Sequence, residues 1–148
     1  MMVRLVLTLV VGAACGGEPA PAGPVLTALM QTQLSAFAPA CEVQPATDPG
    51  IVERRVCQGS RITVTVALGK GRRLRAVDVV ITAQSVLETK TRLEPTIRGV
   101  ASPAAVAAAV SLLGTSTTPE TIHVDGIAVT VVSAASDGFN TYSVGLRY

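Results

Sequence analysis

The chain contains one histidine, and it stands two residues from a carboxylate: His123 and Asp125. On an extended segment, residues i and i+2 point to the same side. An imidazole and a carboxylate at this spacing could meet, the carboxylate orienting the ring as a general base. Hydrolysis asks for more, because a base works only on a nucleophile held beside an oxyanion donor. The sequence has no GxSxG, no HExxH, no phosphate-binding glycine loop and no paired acidic motif to supply one. The plainer reading of His123 and Asp125 is a solvent-facing strand end beside its turn. A metal centre and a cofactor are not expected: the cysteines form no CxxC, and a single histidine leaves zinc short of ligands.

A second grouping is basic. Lys70, Arg72, Arg73 and Arg75 gather around a Gly69-Lys70-Gly71 turn, with Arg54, Arg55 and Arg61 on neighbouring expected strands. Such a turn can hold lipid phosphates, lipopolysaccharide or an acidic protein, each surface Lys or Arg contributing about 1 kcal/mol near an anionic bilayer. The alternative is a solvated turn whose charges guard the sheet against edge pairing. The formal net charge is only +2 at pH 7, so any attraction has to be local, and nucleic acid is not an expected partner.

The elements that must position these groups follow from periodicity. Residues 25–37 read as a helix with Val25, Leu26, Leu29, Met30, Leu34 and Phe37 on one half of the wheel. Gln33 lies inside that arc and needs a partner for its amide. Ile51 to Gln58 is a weak strand. Arg61 to Leu68 alternates cleanly, and Arg73 to Ala83 alternates with a phase change that a β-bulge near Ala76 would produce. Residues 85–93 carry two signals: Ser85 and Glu88 suit a capping box, while Leu87, Thr89, Thr91 and Leu93 alternate. Thr at alternate positions favours the strand reading.

Ser102 as N-cap, Pro103 at the first helical position and Gly114 as terminator frame a second helix with Val106, Val110 and Leu113 as its core stripe. No charge occurs from Ala101 to Thr118, so its other face is nearly bare alanine. Thr121 to Val124 and Ile127 to Ala134 flank Asp125-Gly126, a dipeptide suited to a two-residue hairpin, and Asn140 to Tyr148 is a final strand. The expected fold is α+β, two helices on one face of a predominantly antiparallel sheet of six to seven strands, in a single domain over 25–148.

The amino end carries an address. Arg4 precedes an uncharged apolar run, Leu5 to Val11, and Gly12, Ala13 and Ala14 lead to Cys15. Even counting Val3 and everything to Cys15 except Arg4, the apolar stretch is roughly a dozen residues where a membrane span needs about 20, so it is an export signal rather than a span. Val11-Gly12-Ala13-Ala14-Cys15 resembles the lipobox of bacterial lipoproteins, departing from it in having Gly12 where Leu is commonest. The resemblance implies a signal peptide over 1–14, lipidation of Cys15, and a flexible Pro- and Gly-rich tether over 15–24. It also implies a cell-envelope location facing the periplasm, the outer membrane favoured because Gly16 rather than Asp follows the cysteine. A cut after Ala22 would instead discard Cys15 and release a free periplasmic protein.

With Cys15 lipidated, Cys41 and Cys57 remain as an even pair in a compartment where disulfides persist. A bridge between them closes a Pro- and Asp-rich loop and contributes about 3 kcal/mol by chain-entropy reasoning. The expected function is a membrane-anchored, non-enzymatic binding or scaffold module whose partner is an envelope protein or anionic lipid. The alternative is a small periplasmic hydrolase using His123.

Overall fold

Alternating β-branched and polar residues build most of the described chain, residues 23–148 of this computed structural model. The expected signal, Cys15 and the tether up to residue 22 lie outside the described residues. The element order is α1 (Ala28–Leu34), β1 (Ala40–Gln44), β2 (Glu53–Gly59), β3 (Ile62–Gly69), β4 (Arg73–Ala83), α2 (Val86–Ile97), α3 (Pro103–Leu112), β5 (Glu120–Val124), β6 (Ile127–Ser136) and β7 (Phe139–Arg147). The seven strands form one antiparallel sheet in the order β1-β2-β3-β4-β7-β6-β5. The class is α+β, as the alternation implies, with three helices among the described residues rather than two.

Register makes the core. Val66, Val77, Leu146 and Val129 lie side by side across four strands, as do Val64, Val79, Val144 and Val131. Their period of two places them on one side of the sheet, where Leu34, Leu93, Ile97, Ala105 and Ala109 of the helices join them in a single buried cluster. Thr63, Thr65, Thr82, Thr141, Ser143 and Thr130 occupy the opposite side and stay partly exposed.

The α1 helix is shorter than periodicity suggests. Thr27 caps it, its hydroxyl accepting from Met30 N at 3.2 Å, and the helix ends at Leu34. The preceding residues pair with the start of β4 instead: Gly23 N donates to Leu74 O, Leu74 N to Pro24 O and Leu26 N to Arg72 O, each at 2.9 Å. Gly23 and Pro24 therefore belong to the fold rather than to the tether. Leu26 and Leu34 are buried, but Val25, Leu29 and Phe37 of the expected apolar arc are exposed. Gln33 lays its amide against Gly99, where a Cβ would lie 1.8 Å from Oε1.

Residues 86–97 are helical, not a strand. The capping signal prevails over the alternating threonines: Ser85 Oγ accepts from Glu88 N at 3.1 Å, and Glu88 Oε2 accepts from Gln84 N at 3.1 Å. Thr89, Leu93, Thr96 and Ile97 then fall on one helical stripe and are buried. The two buried hydroxyls donate one turn back, Thr89 to Ser85 O at 3.0 Å and Thr96 to Arg92 O at 2.7 Å, which satisfies them without a tertiary partner.

The α3 helix has the expected cap, with Ser102 Oγ accepting from Ala105 N at 3.2 Å, and Gly114 at φ 75° follows its end. Its buried stripe is rotated from the expected one: Ala105 and Ala109 are fully buried with Leu113 behind them, while Val106 and Val110 are only partly covered. Alanines on that stripe let the helix axis approach the sheet closely. The hairpin at Asp125 (φ 51°) and Gly126 (φ 76°) has both turn residues left-handed, the geometry that suits strand twist.

One strand escapes sequence reading altogether. The β1 strand is exposed at all five positions and pairs with β2 so that Cys41 directly faces Cys57. The disulfide forms, with an S–S distance of 2.04 Å, as a cross-strand link pinning an edge strand rather than as the clasp of an irregular loop. The β-bulge also forms: Ala67 pairs with Ala76 but Leu68 with Leu74, leaving Arg75 as the extra residue.

Candidate functional site at the basic end of the sheet

The β3–β4 connection is a tight turn over Lys70–Arg72, in which Gly71 (φ 73°) and Arg72 (φ 59°) are both left-handed. Antiparallel pairing brings five other segments to the same end: the chain's approach at Gly23–Val25, the loop at Asp48–Ile51, the α2–α3 link, the Asp125-Gly126 turn and Tyr148. Lys70, Arg72 and Arg73 are exposed there. Among the described residues, no carboxylate comes within 4.0 Å of any of them. Arg73 makes one long contact, Nη1 to Gly23 O at 3.5 Å.

The surrounding cations are committed. Arg54 pairs with Asp48, Arg55 Nε donates to Glu53 at 2.8 Å, and Arg147 Nη2 donates to Asp78 at 2.8 Å. The Arg55 hydrogen bond holds the Glu53 carboxyl below its ordinary range against the opposing effect of burial, and the positive charges of Arg55 and Arg72 add to the lowering.

Arg75, read from sequence as the fourth member of the cluster, is led elsewhere by the bulge. Its side chain passes directly over Gly69, where a Cβ would sit 2.7 Å from Nε. It lines a shallow depression of about 360 Å³ on the threonine-bearing side, together with Arg54, Asp48, Asp78 and Arg147. The tip cluster is thus Lys70, Arg72 and Arg73.

Beside the tip, Gly23, Arg73, Ser102, Asp125 and Tyr148 line a cleft of about 550 Å³. Asp125 Oδ2 accepts from Ser102 Oγ at 2.6 Å, tying the hairpin turn to the N-cap of α3. The Tyr148 hydroxyl donates to Val100 O, and burial pushes this phenol well above its ordinary range.

His123 is exposed on β5, and no hydrogen bond or ion pair joins it to Asp125, whose carboxylate turns to Ser102. No group of three metal-ligating side chains gathers among the described residues. No described helix is long and apolar enough to cross a membrane. Sequence reasoning missed the docking of residues 23–26 onto β4, and the ion pairs Arg54–Asp48 and Arg147–Asp78. None has a periodic signature, and the docking and the Arg147–Asp78 pair join residues far apart in the chain. No protein-family model, curated protein or solved structure matches the chain.

Proposed function

We propose that the chain is a membrane-anchored envelope lipoprotein, acylated at Cys15, that serves as a non-enzymatic binding or scaffold module, an accessory subunit of an envelope assembly. The observation that carries this reading is where the fold begins. Gly23 is already hydrogen-bonded to β4, eight residues after Cys15. Eight residues span at most about 27 Å when extended, so the domain works within one domain diameter of the bilayer. The outer membrane is the favoured location, with Gly16 following the cysteine.

The described surface suits a module of this kind: a broad, threonine-bearing sheet side, an alanine-faced helix and a basic tip. The competing reading, a small periplasmic hydrolase working through His123, needs a second titratable group beside the imidazole. Asp125 is engaged by Ser102 instead.

Mass spectrometry of the protein extracted from membranes tests the anchor directly. An acylated amino-terminal Cys15 is expected; an unmodified mature chain beginning at Gly23 overturns the reading. A pull-down from detergent-solubilised membranes then identifies the envelope partner that the module reading requires.

A further inference from the structure

Among the described residues, the tip cluster is a group of neighbouring cations at the basic end with no carboxylate in ion-pair distance. Arg54, Arg55, Arg98 and Arg147 each pair with an acidic residue, whereas Lys70, Arg72 and Arg73 are exposed with none within 4.0 Å among the described residues. Three positive charges held together in water repel one another. Their natural complement is a surface of fixed negative charge.

The path of the chain says which surface lies nearest. Residues 23–26 lie against Arg72, Arg73 and Leu74, with Leu26 N bonded to Arg72 O and Val25 bridged to Arg73. The segment leading back to Cys15 therefore leaves from beside the tip. Eight residues counted as a random coil have an end-to-end distance of roughly 16 Å. The opposite end of β4, ten residues further along the strand, lies about 33 Å away. An anchor at Cys15 thus holds the tip, and not the opposite end, within the reach of lipid headgroups.

We propose that Lys70, Arg72 and Arg73 dock on the anionic headgroups of the membrane to which Cys15 tethers the chain, standing the sheet with its basic end on the bilayer. This inference rests on the lipid anchor proposed above. The turn itself presents charges and glycine, so the contact is with headgroup phosphates at the surface. Docking leaves the threonine-bearing side of the sheet and the alanine face of α3 pointing along the membrane plane, open to a partner.

The chain carries its own reporter pair, because Lys70 at the tip and Lys90 on α2 are its only lysines. The acylated protein, purified from membranes, is reconstituted into vesicles of phosphatidylcholine alone or with phosphatidylglycerol. An amine-reactive reagent is added, and modification of the two lysines is compared by mass spectrometry. In the anionic vesicles, Lys70 modification should fall about fivefold relative to Lys90, the factor corresponding to one lysine's attraction to an anionic leaflet. The protection should vanish in phosphatidylcholine vesicles and in 1 M salt, where screening confines electrostatic attraction to about 3 Å. Replacing Arg72 and Arg73 by Gln should weaken it without altering the fold.

A Lys70 to Lys90 ratio that is the same in both vesicle types, with the protein still bound to each, overturns the docking alone. Loss of the protein from phosphatidylcholine vesicles overturns the anchor, and the docking with it. Protection found in native membranes but not in defined anionic vesicles also overturns the proposal, and assigns the tip to a protein partner.

Discussion

The two ends of the sheet treat their arginines differently. At the end formed by the β2–β3 and β6–β7 turns, Arg61 lies over the Phe139 ring, 4.4 Å from its centroid. Arg92 donates to Ser60 O at 2.9 Å and faces Glu88 across one helical turn. The Cys41–Cys57 link closes the same half of the edge strand. At the basic end, Arg72 and Arg73 have no carboxylate partner among the described residues and project from a turn. Arginines at the first end hold the fold together. Arg72 and Arg73 at the second make no ion pair among the described residues, and that separation makes them candidates for a contact outside the chain.

The largest effect that would test this contrast comes from the disulfide. Replacing both Cys41 and Cys57 by Ala should lower stability by about 3 kcal/mol, as expected for a closed loop of this length. Urea unfolding would read the loss as a lower midpoint. An unchanged midpoint would mean that β1 pairing, not the covalent link, secures that end.

Ser102→Ala comes next, at the basic end. It removes the N-cap of α3 and releases the hairpin-turn residue Asp125 from that helix. A loss of about 1 kcal/mol is expected in thermal unfolding. Because this contact serves the fold while lying beside the tip, it separates position from role.

The arginines themselves give the sharpest comparison. Arg61→Ala should cost about 0.5–1 kcal/mol through the lost cation–π contact. Arg72→Gln with Arg73→Gln should stay within about 0.5 kcal/mol of the parent, since exposed turn charges contribute little. Equal losses from the two replacements would erase the distinction between the ends.

The smallest effect is on acid stability. Glu53 titrates below its ordinary value, so it stabilises the fold fully at pH above the unfolded carboxyl's range. That contribution disappears as pH falls through the lowered folded value. Glu53→Gln should flatten the acid limb of a stability–pH curve, and Arg72→Gln should shift it slightly upward by removing one of the charges that lowers this carboxyl. A carboxyl resonance of Glu53 unmoved by Arg72→Gln would show that the tip exerts no field on the strand beside it.

Sequence reading recovered the elements whose signals are local. Ser102, Pro103 and Gly114 frame α3 within the chain itself, Asp125-Gly126 dictates its hairpin, and clean alternation in β3 needs nothing but a buried side. It failed where two local signals compete or where none exists. The Ser85–Glu88 cap and the alternating threonines of residues 87–93 point to different structures, and packing of Leu93 and Ile97 into the core favours the helix. Ala40–Gln44 has no buried face to impose a period, so an edge strand made by backbone pairing leaves no trace in its side chains. The basic cluster was legible as composition, but its membership was not. A one-residue bulge sends Arg75 across Gly69, away from neighbours only two and three positions earlier.

The closeness of Gly23 to Tyr148 has a practical side. A Cβ on Gly23 would lie 2.5 Å from the Tyr148 ring, so the start of the described fold and its last residue are packed against each other. Whatever continues past Tyr148, a purification handle or more polypeptide, departs from the basic end and crowds the cleft and the tip. The Asp137-Gly138 turn sits at the opposite end, exposed and with both residues left-handed. A fluorescent or affinity insert placed there would project away from the basic end and leave that surface unobstructed.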